Sequence, residues 1–323
     1  MEKLFRAVDE PQPGPFIRQA VEEGRAFVAD WYAKAERIPD PEECRHRVGA
    51  HMPELLGLFD SMRGFAGDDP AMIAALAGID PPPLIPAGCT VRAFTRPRPA
   101  MLRNYDFHPD ATSAVILRTG WAGRRVLGMS EGVSGLLDGV NDAGVAAALT
   151  FGGRHVYGSG FSIVQIIRYV LQVASDVEAA AEVLRRVPCA WAQNVLVQDR
   201  SGKSVRAELA PDREPLIADG NAVTNHQADV APRPDSAQRL GVACALADDV
   251  EAARAVFVEG DLLKQDFDDW LGTLYTAEYL PGEGAVTFHW RDGSWRQSLA
   301  QFEPGERRVV YSVNALFLNN NSL

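Results

Sequence analysis

Residues 88–106 read GCTVRAFTRPRPAMLRNYD, and the rest of the chain is organised around them. A Pro-rich approach, Asp80-Pro81-Pro82-Pro83-Leu84-Ile85-Pro86, leads into Gly88-Cys89-Thr90. The alternating run that follows predicts a β-hairpin. One strand runs from Cys89 to about Thr95, a turn occupies Arg96 to Pro99, and the chain returns through Phe107. In this reading Cys89 faces Arg103 and Asp106 across the ladder, although Arg103 and Asp106, three apart on one strand, point to opposite faces unless the strand bulges. A thiol beside a guanidinium sits in a reactive microenvironment, because positive charge favours thiolate. Gly88 has no Cβ, so the peptide ahead of Cys89 can be approached closely. Residues before proline avoid the α region, which holds the approach extended. The competing reading is a buried structural cysteine, the commonest fate of a free thiol.

Composition bounds what surrounds this hairpin. A chain of 323 residues, 46% hydrophobic and 23% charged, can bury a sizeable core. Its net charge of −11 excludes a nucleic-acid backbone as an expected partner. The start, MEKLFRAVDE, has no signal-type apolar core, and no apolar run approaches spanning length, so the expected residence is cytoplasmic with no membrane partner. Cys44, Cys89, Cys189 and Cys244 lie far apart, which argues against a zinc site and a disulfide scaffold. Cys44, His46 and His51 read as side chains on a charged helix face, with Arg45 and Arg47 among them, and no metal or cofactor is expected.

Residues 14–78 read as helical: a stripe at Phe27, Trp31 and Ala35, a helix capped by Asp40 with Pro41 at its first position, one from Pro53 to Phe65 and one from Ala71 to Ala77. From Cys89 the period changes to two. Strands are expected at Ser113–Arg118, Arg124–Met129 and Gly144–Phe151. Two helices follow, on the apolar faces Ile163, Ile166, Ile167, Val170, Leu171 and Val177, Ala180, Ala181, Leu184. Strands resume at Asn194–Gln198, Lys203–Glu208 and Asn221–His226. Asp235 and Ser236 cap a helix to about Phe257, Asp266–Tyr279 adds another, and Ala285–Trp290, Trp295–Leu299 and Arg307–Asn314 close the chain as strands. Antiparallel strand runs with helices in blocks imply an α+β fold of two sheets with helices outside.

The motifs Gly88-Cys89-Thr90, Arg103-Asn104-Tyr105-Asp106, Gly139-Val140-Asn141-Asp142-Ala143-Gly144, Thr224-Asn225-His226 and Ser236-Ala237-Gln238-Arg239, in this order and spacing, resemble the N-terminal-nucleophile (Ntn) hydrolases. Within them the chain is most similar to the penicillin acyltransferase-like branch (peptidase family C45), and more distantly to choloylglycine hydrolases. The resemblance implies a four-layer αββα sandwich. It also implies self-cleavage between Gly88 and Cys89, giving an N-terminal helical segment, 1–88, and a catalytic domain, 89–323. Cys89 would then be nucleophile, and its freed α-amine, with an ordinary pKa of about 7.7–8.0, the base. The matching Arg103 and Asp106 flank the nucleophile, with Asp106 holding the α-amine. Asn225 takes the oxyanion role, Thr150 stands where relatives place a second oxyanion donor, and Arg239 matches an Arg near the substrate. Asn141 reads as structural.

Three other patterns compete. Gly128-Met129-Ser130-Glu131-Gly132 fits a nucleophile elbow but lacks the strand-to-helix context. His108 or His226 could pair with Cys89. Gly158-Ser159-Gly160 could cradle an anion, though a plain N-terminal cap is the simpler reading. The expectation is therefore a self-processing amide hydrolase acting through a thioester on Cys89, or an acyltransferase passing the acyl group to an amine. A non-catalytic binding protein on the same fold is the alternative of another class. Partners are a small amide or acyl substrate and the two fragments, which are expected to stay associated. A homo-oligomer stays open.

Overall fold

In the computed structural model the described residues are 1–83, 88–267 and 271–311. Leu84–Ala87 of the Pro-rich approach, 268–270 of the expected helix and the end of the expected last strand, 312–314, lie outside them. The chain begins with a strand, β1 (Glu2–Glu10), where the sequence suggests no element. Four helices follow: α1 (Pro15–Tyr32), α2 (Pro41–His51), α3 (Leu56–Ala66) and α4 (Pro70–Ala77). Asp40 caps α2 as expected, accepting the Glu42 and Glu43 N–H groups. The start of α1 is capped from outside the helix. Glu10, at the end of β1, accepts the backbone N–H of Gly14, Phe16 and Ile17. The α1 stripe differs from the expected one. Ile17, Val21, Val28 and Tyr32 are buried, whereas Phe27 is 60% exposed and stacks on Trp31. Ala35 lies past the helix end.

The hairpin is β2 (Gly88–Phe94) and β3 (Ala100–Phe107). Then come β4 (Val115–Ala122), β5 (Arg124–Glu131), β6 (Gly135–Asn141) and β7 (Val145–Phe151). Helices α5 (Ile163–Val173) and α6 (Val177–Arg186) precede β8 (Gln193–Asp199), β9 (Ser204–Leu209), β10 (Leu216–Asp219) and the two-residue β11 (Ala222–Val223). The single helix expected from Asp235 to Phe257 is two, α7 (Pro234–Ala245) and α8 (Val250–Val258). Asp249 caps α8, and Arg92 of the hairpin donates to the Ala243 carbonyl of α7 and to that of Leu246 just past its end, so the break is held from both sides.

The helix expected over Asp266–Tyr279 is not what forms. β12 (Gln265–Asp266) and β13 (Leu271–Leu280) stand there. β13 lies between β3 and its successor, with both faces covered. Its apolar residues therefore do not alternate, and the period-two signal is hidden. β14 (Ala285–Trp290), β15 (Gly293–Ser298) and β16 (Gly305–Val310) complete the described chain.

Among the described residues the strands form two sheets, in the orders β10-β9-β8-β7-β6-β5-β4-β1-β16 and β11-β2-β3-β13-β14-β15 with β12 on β13. The sheets face one another, β2 against β7 and β14 against β5 and β6. Helices α5 and α6 cover the first sheet, and α7 and α8 the second. This is the expected four-layer αββα sandwich. β1 runs parallel to β4 and antiparallel to β16, so the segment before Gly88 supplies an internal strand of the larger sheet.

Candidate active site

The register of the hairpin sets the geometry. Gly88 pairs with Asp106, Cys89 with Tyr105 and Val91 with Arg103. Directly paired residues share a face, so Cys89, Tyr105 and Arg103 point between the sheets while Asp106 points to the helix side. Cys89 therefore faces Tyr105 directly, a correction to the expected pairing, and Arg103 reaches it diagonally. The Arg103 Nη2 lies 3.6 Å from the Cys89 Sγ.

Arg103 is fully buried, and its charge is compensated. Its Nη1 is 2.5 Å from an Asp138 carboxylate oxygen and donates to the Tyr275 hydroxyl at 2.6 Å. Tyr275 and Tyr279 both donate to Asp138. Asp138, on β6 of the opposite sheet, is a partner the sequence reading missed. A charge needing burial on β3 was the available signal. A buried pair whose one partner is deleted leaves an uncompensated charge, so Asp138→Asn is expected to cost about 3–5 kcal/mol, read as a lowered urea midpoint at unchanged slope.

Burial pushes the Cys89 thiol up to about 11; Arg103 opposes that rise without overcoming it. In the intact chain Cys89 is thus a fully buried thiol. Its backbone N–H donates to the Asn225 Oδ1 at 2.8 Å. Arg239, on α7, donates from Nη2 to the same Oδ1 at 2.8 Å and from Nη1 to the Thr90 hydroxyl and the Cys89 carbonyl. Asp235 pairs with Arg239 at 2.9 Å and with Lys264 at 3.0 Å. With its oxygen so fixed, the Asn225 amide directs Nδ2 toward the Phe151 carbonyl, 3.3 Å away. Ser236 accepts the Asn225 backbone N–H, and Thr224 donates to the Ser236 carbonyl, tying this loop to α7.

Asp106 sits below the peptide that precedes Cys89. A Cβ on Gly88 would lie 3.0 Å from its Cβ and 3.2 Å from Oδ2, which is why glycine stands there. Oδ1 accepts from the Thr273 hydroxyl at 2.7 Å, whereas Oδ2 is buried with no hydrogen-bond partner among the described residues. Burial raises the Asp106 pKa, with Arg239 and Thr273 opposing.

Thr150 donates its hydroxyl proton to the Thr224 carbonyl at 2.6 Å and accepts from Asn194, whose amide also holds the Thr224 and His226 carbonyls. The structure therefore brings Cys89, Arg103, Asn225 and Arg239 together, sets Asp106 under Gly88, and spends the Thr150 hydroxyl on the Asn225 loop. Of the competing patterns, Ser130 is buried near the end of β5, opposite Val115, where the chain turns into strand β6 and not into a helix. His226 bonds Ser236 at 2.8 Å. Asn141 anchors the end of α5 through the Leu171 and Ala174 carbonyls. Among the described residues no group of His, Cys, Asp and Glu could hold a metal ion, and no helix is long and apolar enough to cross a membrane.

Residues 95–295 match the family model for acyl-coenzyme A:6-aminopenicillanic acid acyl-transferase. The chain belongs to that family. The match covers Arg103, Asp106, Thr150, Asn225 and Arg239 and begins just after Cys89. No curated protein matches the chain by sequence. Among solved structures it is similar to penicillin V acylase from Agrobacterium tumefaciens, at 17% identity over 71% of this chain and 93% of that one, with a TM-score of 0.49. It is similar to a mutant conjugated bile acid hydrolase from Clostridium perfringens, at 12% identity over 69% and 97%, TM-score 0.48. It also resembles the Caenorhabditis elegans orthologue of N-acylethanolamine-hydrolyzing acid amidase, at 13% identity over 64% and 98%, TM-score 0.41.

Proposed function

We propose that this family member is a self-processing amide hydrolase, or acyltransferase, with Cys89 as nucleophile. The observation that carries the reading is the Asp106 Oδ2 packed against Gly88, buried and with no hydrogen-bond partner among the described residues. A buried acceptor with no donor is costly. Cleavage of the Gly88–Cys89 bond turns the Cys89 amide into an ammonium with two further N–H groups, at a nitrogen already bonded to Asn225. Asp106 then gains a donor for the oxygen that has none among the described residues of the intact chain.

Processing starts when Sγ adds to the Gly88 carbonyl carbon. The C–N bond breaks, the nitrogen takes a proton, and Gly88 becomes a thioester on Sγ. Water releases the Gly88 carboxylate and restores the thiol. In turnover the neutral α-amine takes the Sγ proton as Sγ adds to the substrate carbonyl. Asn225 Nδ2 leaves the Phe151 carbonyl for the tetrahedral oxyanion, and Arg239 holds the amide in that orientation. The α-ammonium returns its proton to the departing amine. Water resolves the acyl thioester in the hydrolase, and an amine acceptor in the acyltransferase. Thr150 acts here by holding the Thr224–Asn225 backbone, not as the second oxyanion donor.

Asn225→Ala is expected to fold and to lose about 10²–10³ in kcat, the usual cost of one oxyanion donor. Release of p-nitroaniline from N-phenylacetyl-p-nitroanilide, alongside hydrolysis of penicillin V, measures it. Undiminished turnover would remove Asn225 from the site. A non-catalytic protein would show neither turnover nor cleavage in the unmodified chain.

A further inference from the structure

The chain that leads toward the scissile peptide is fixed at successive residues. Gly78 takes a positive φ of 66° so close to Ser162 that a Cβ would lie 2.7 Å from its hydroxyl oxygen. The Ile79 carbonyl accepts the Tyr32 hydroxyl at 2.9 Å, and Ile79 bridges Phe161. Asp80 is held in the left-handed region at φ 44°, which is costly for most L-residues and is entered by Asp and Asn when their side chains are held by hydrogen bonds. Those bonds are explicit. Arg47 grips both carboxylate oxygens, at 2.6 and 2.9 Å. Ser159 and the Gly160 N–H donate to Oδ1 at 3.1 and 2.9 Å, and the Asp80 N–H returns a bond to the Gly160 carbonyl at 2.9 Å. The Gly158-Ser159-Gly160 loop thus does cradle an anion, and the anion is Asp80. Trp191 then donates to the Pro81 carbonyl at 3.1 Å, and Trp31 to the Pro82 carbonyl at 3.0 Å.

The clamp has two sides. Arg47, Trp31 and Tyr32 precede the Gly88–Cys89 bond, whereas Ser159, Gly160 and Trp191 follow it. Burial pushes the Asp80 carboxyl up, but Arg47, the Gly160 N–H and Ser159 outweigh it and hold the group ionised below its ordinary range. Self-cleavage requires Sγ to stand about 3–3.5 Å from the Gly88 carbonyl carbon in line for attack. Gly88 is held from below by its pairing with Asp106. The upstream chain must be held as well, or it would swing the carbonyl away from the thiol. Nothing in turnover by the cleaved enzyme needs that restraint.

Resting on the self-processing reading above, we propose that Asp80, gripped by Arg47 and the Ser159–Gly160 loop, is a positioning residue for cleavage of the Gly88–Cys89 bond. It acts on maturation and not on substrate turnover. Full-length chains made by cell-free translation and quenched at intervals give the cleavage rate by intact mass. Asp80→Asn, which keeps the shape and tolerates the left-handed backbone, and Arg47→Gln are each expected to slow cleavage about 10-fold or more, the scale of a misplaced near-attack geometry. Asp60→Asn is the control. It breaks the comparable two-point pair with Arg45 between α2 and α3, away from the linker, and should leave the rate unchanged. Once cleaved, both latch variants should match the wild type in kcat and KM for N-phenylacetyl-p-nitroanilide. A latch variant that cleaves at the wild-type rate overturns the proposal, as does one whose fully cleaved form has a reduced kcat. A wild-type chain that never cleaves overturns the self-processing reading and the latch with it.

Discussion

Cys89→Ala is expected to yield an uncut chain of 35.1 kDa with no turnover, whereas the wild type separates under denaturing conditions into two fragments. Scaling the mass by 88 of 323 residues puts the lighter fragment near 9.6 kDa. The loss should be complete in both assays because one sulfur serves both reactions. The fold should survive. Arg103 loses a contact of 3.6 Å but keeps Asp138, Tyr275 and the Leu149 carbonyl. Cys89→Ser should retain a fraction of each activity, since a hydroxyl is a weaker nucleophile at the same position. Intact-mass spectrometry and N-terminal sequencing read the first outcome, and p-nitroaniline release reads the second. A wild-type chain that stays whole and turns over normally would overturn this reading in favour of a Cys–His pair.

What was legible beforehand follows a physical line. The hairpin, its turn and the strands after it carry local signals, alternation and Gly or Pro punctuation, and these place Cys89 and Arg103 on facing strands. The αββα layering followed from block order together with the family resemblance. Three things were hidden. β13 is covered on both faces, so its apolar run also fits a helix. β1 is held by β4 and β16, from distant parts of the chain, and nothing within residues 2–10 announces either partner. Asp138 matters only because β6 lies opposite β3 in another sheet, a juxtaposition with no trace in local spacing. The register error at Cys89 has a similar origin. A hairpin sequence shows which strands pair, but the turn geometry decides which residue faces which.

The segment before Gly88 is expected to remain bound after cleavage, and residues 89–323 made alone are expected not to fold. β1 fills the slot between β4 and β16, pairing Glu2–Ala7 with Val310–Gly305 and Arg6–Glu10 with Val115–Thr119. Without it both neighbours would present open edges, which invite aggregation. Phe5, Ile17, Val21, Tyr32, Leu55, Phe59, Met62, Met72, Ile73, Leu76 and Ile79 are buried in the main core. Exposing any of these large apolar side chains on separation costs about 1.5–3 kcal/mol apiece, before the conformational entropy regained by the freed segment is counted. Polar ties cross the cut as well. Arg118 pairs bidentately with Asp9, the Trp121 indole donates to the Glu10 carbonyl, and Arg186 donates to the His51 carbonyl. Breaking one peptide bond removes none of these contacts. Native size exclusion of cleaved protein should therefore give one peak containing both fragments, and separation in urea should abolish turnover until they are recombined. A heavy fragment that elutes alone and remains active would show that residues 1–88 are a disposable propeptide, and that β1 and its helices are dispensable once Cys89 has been freed.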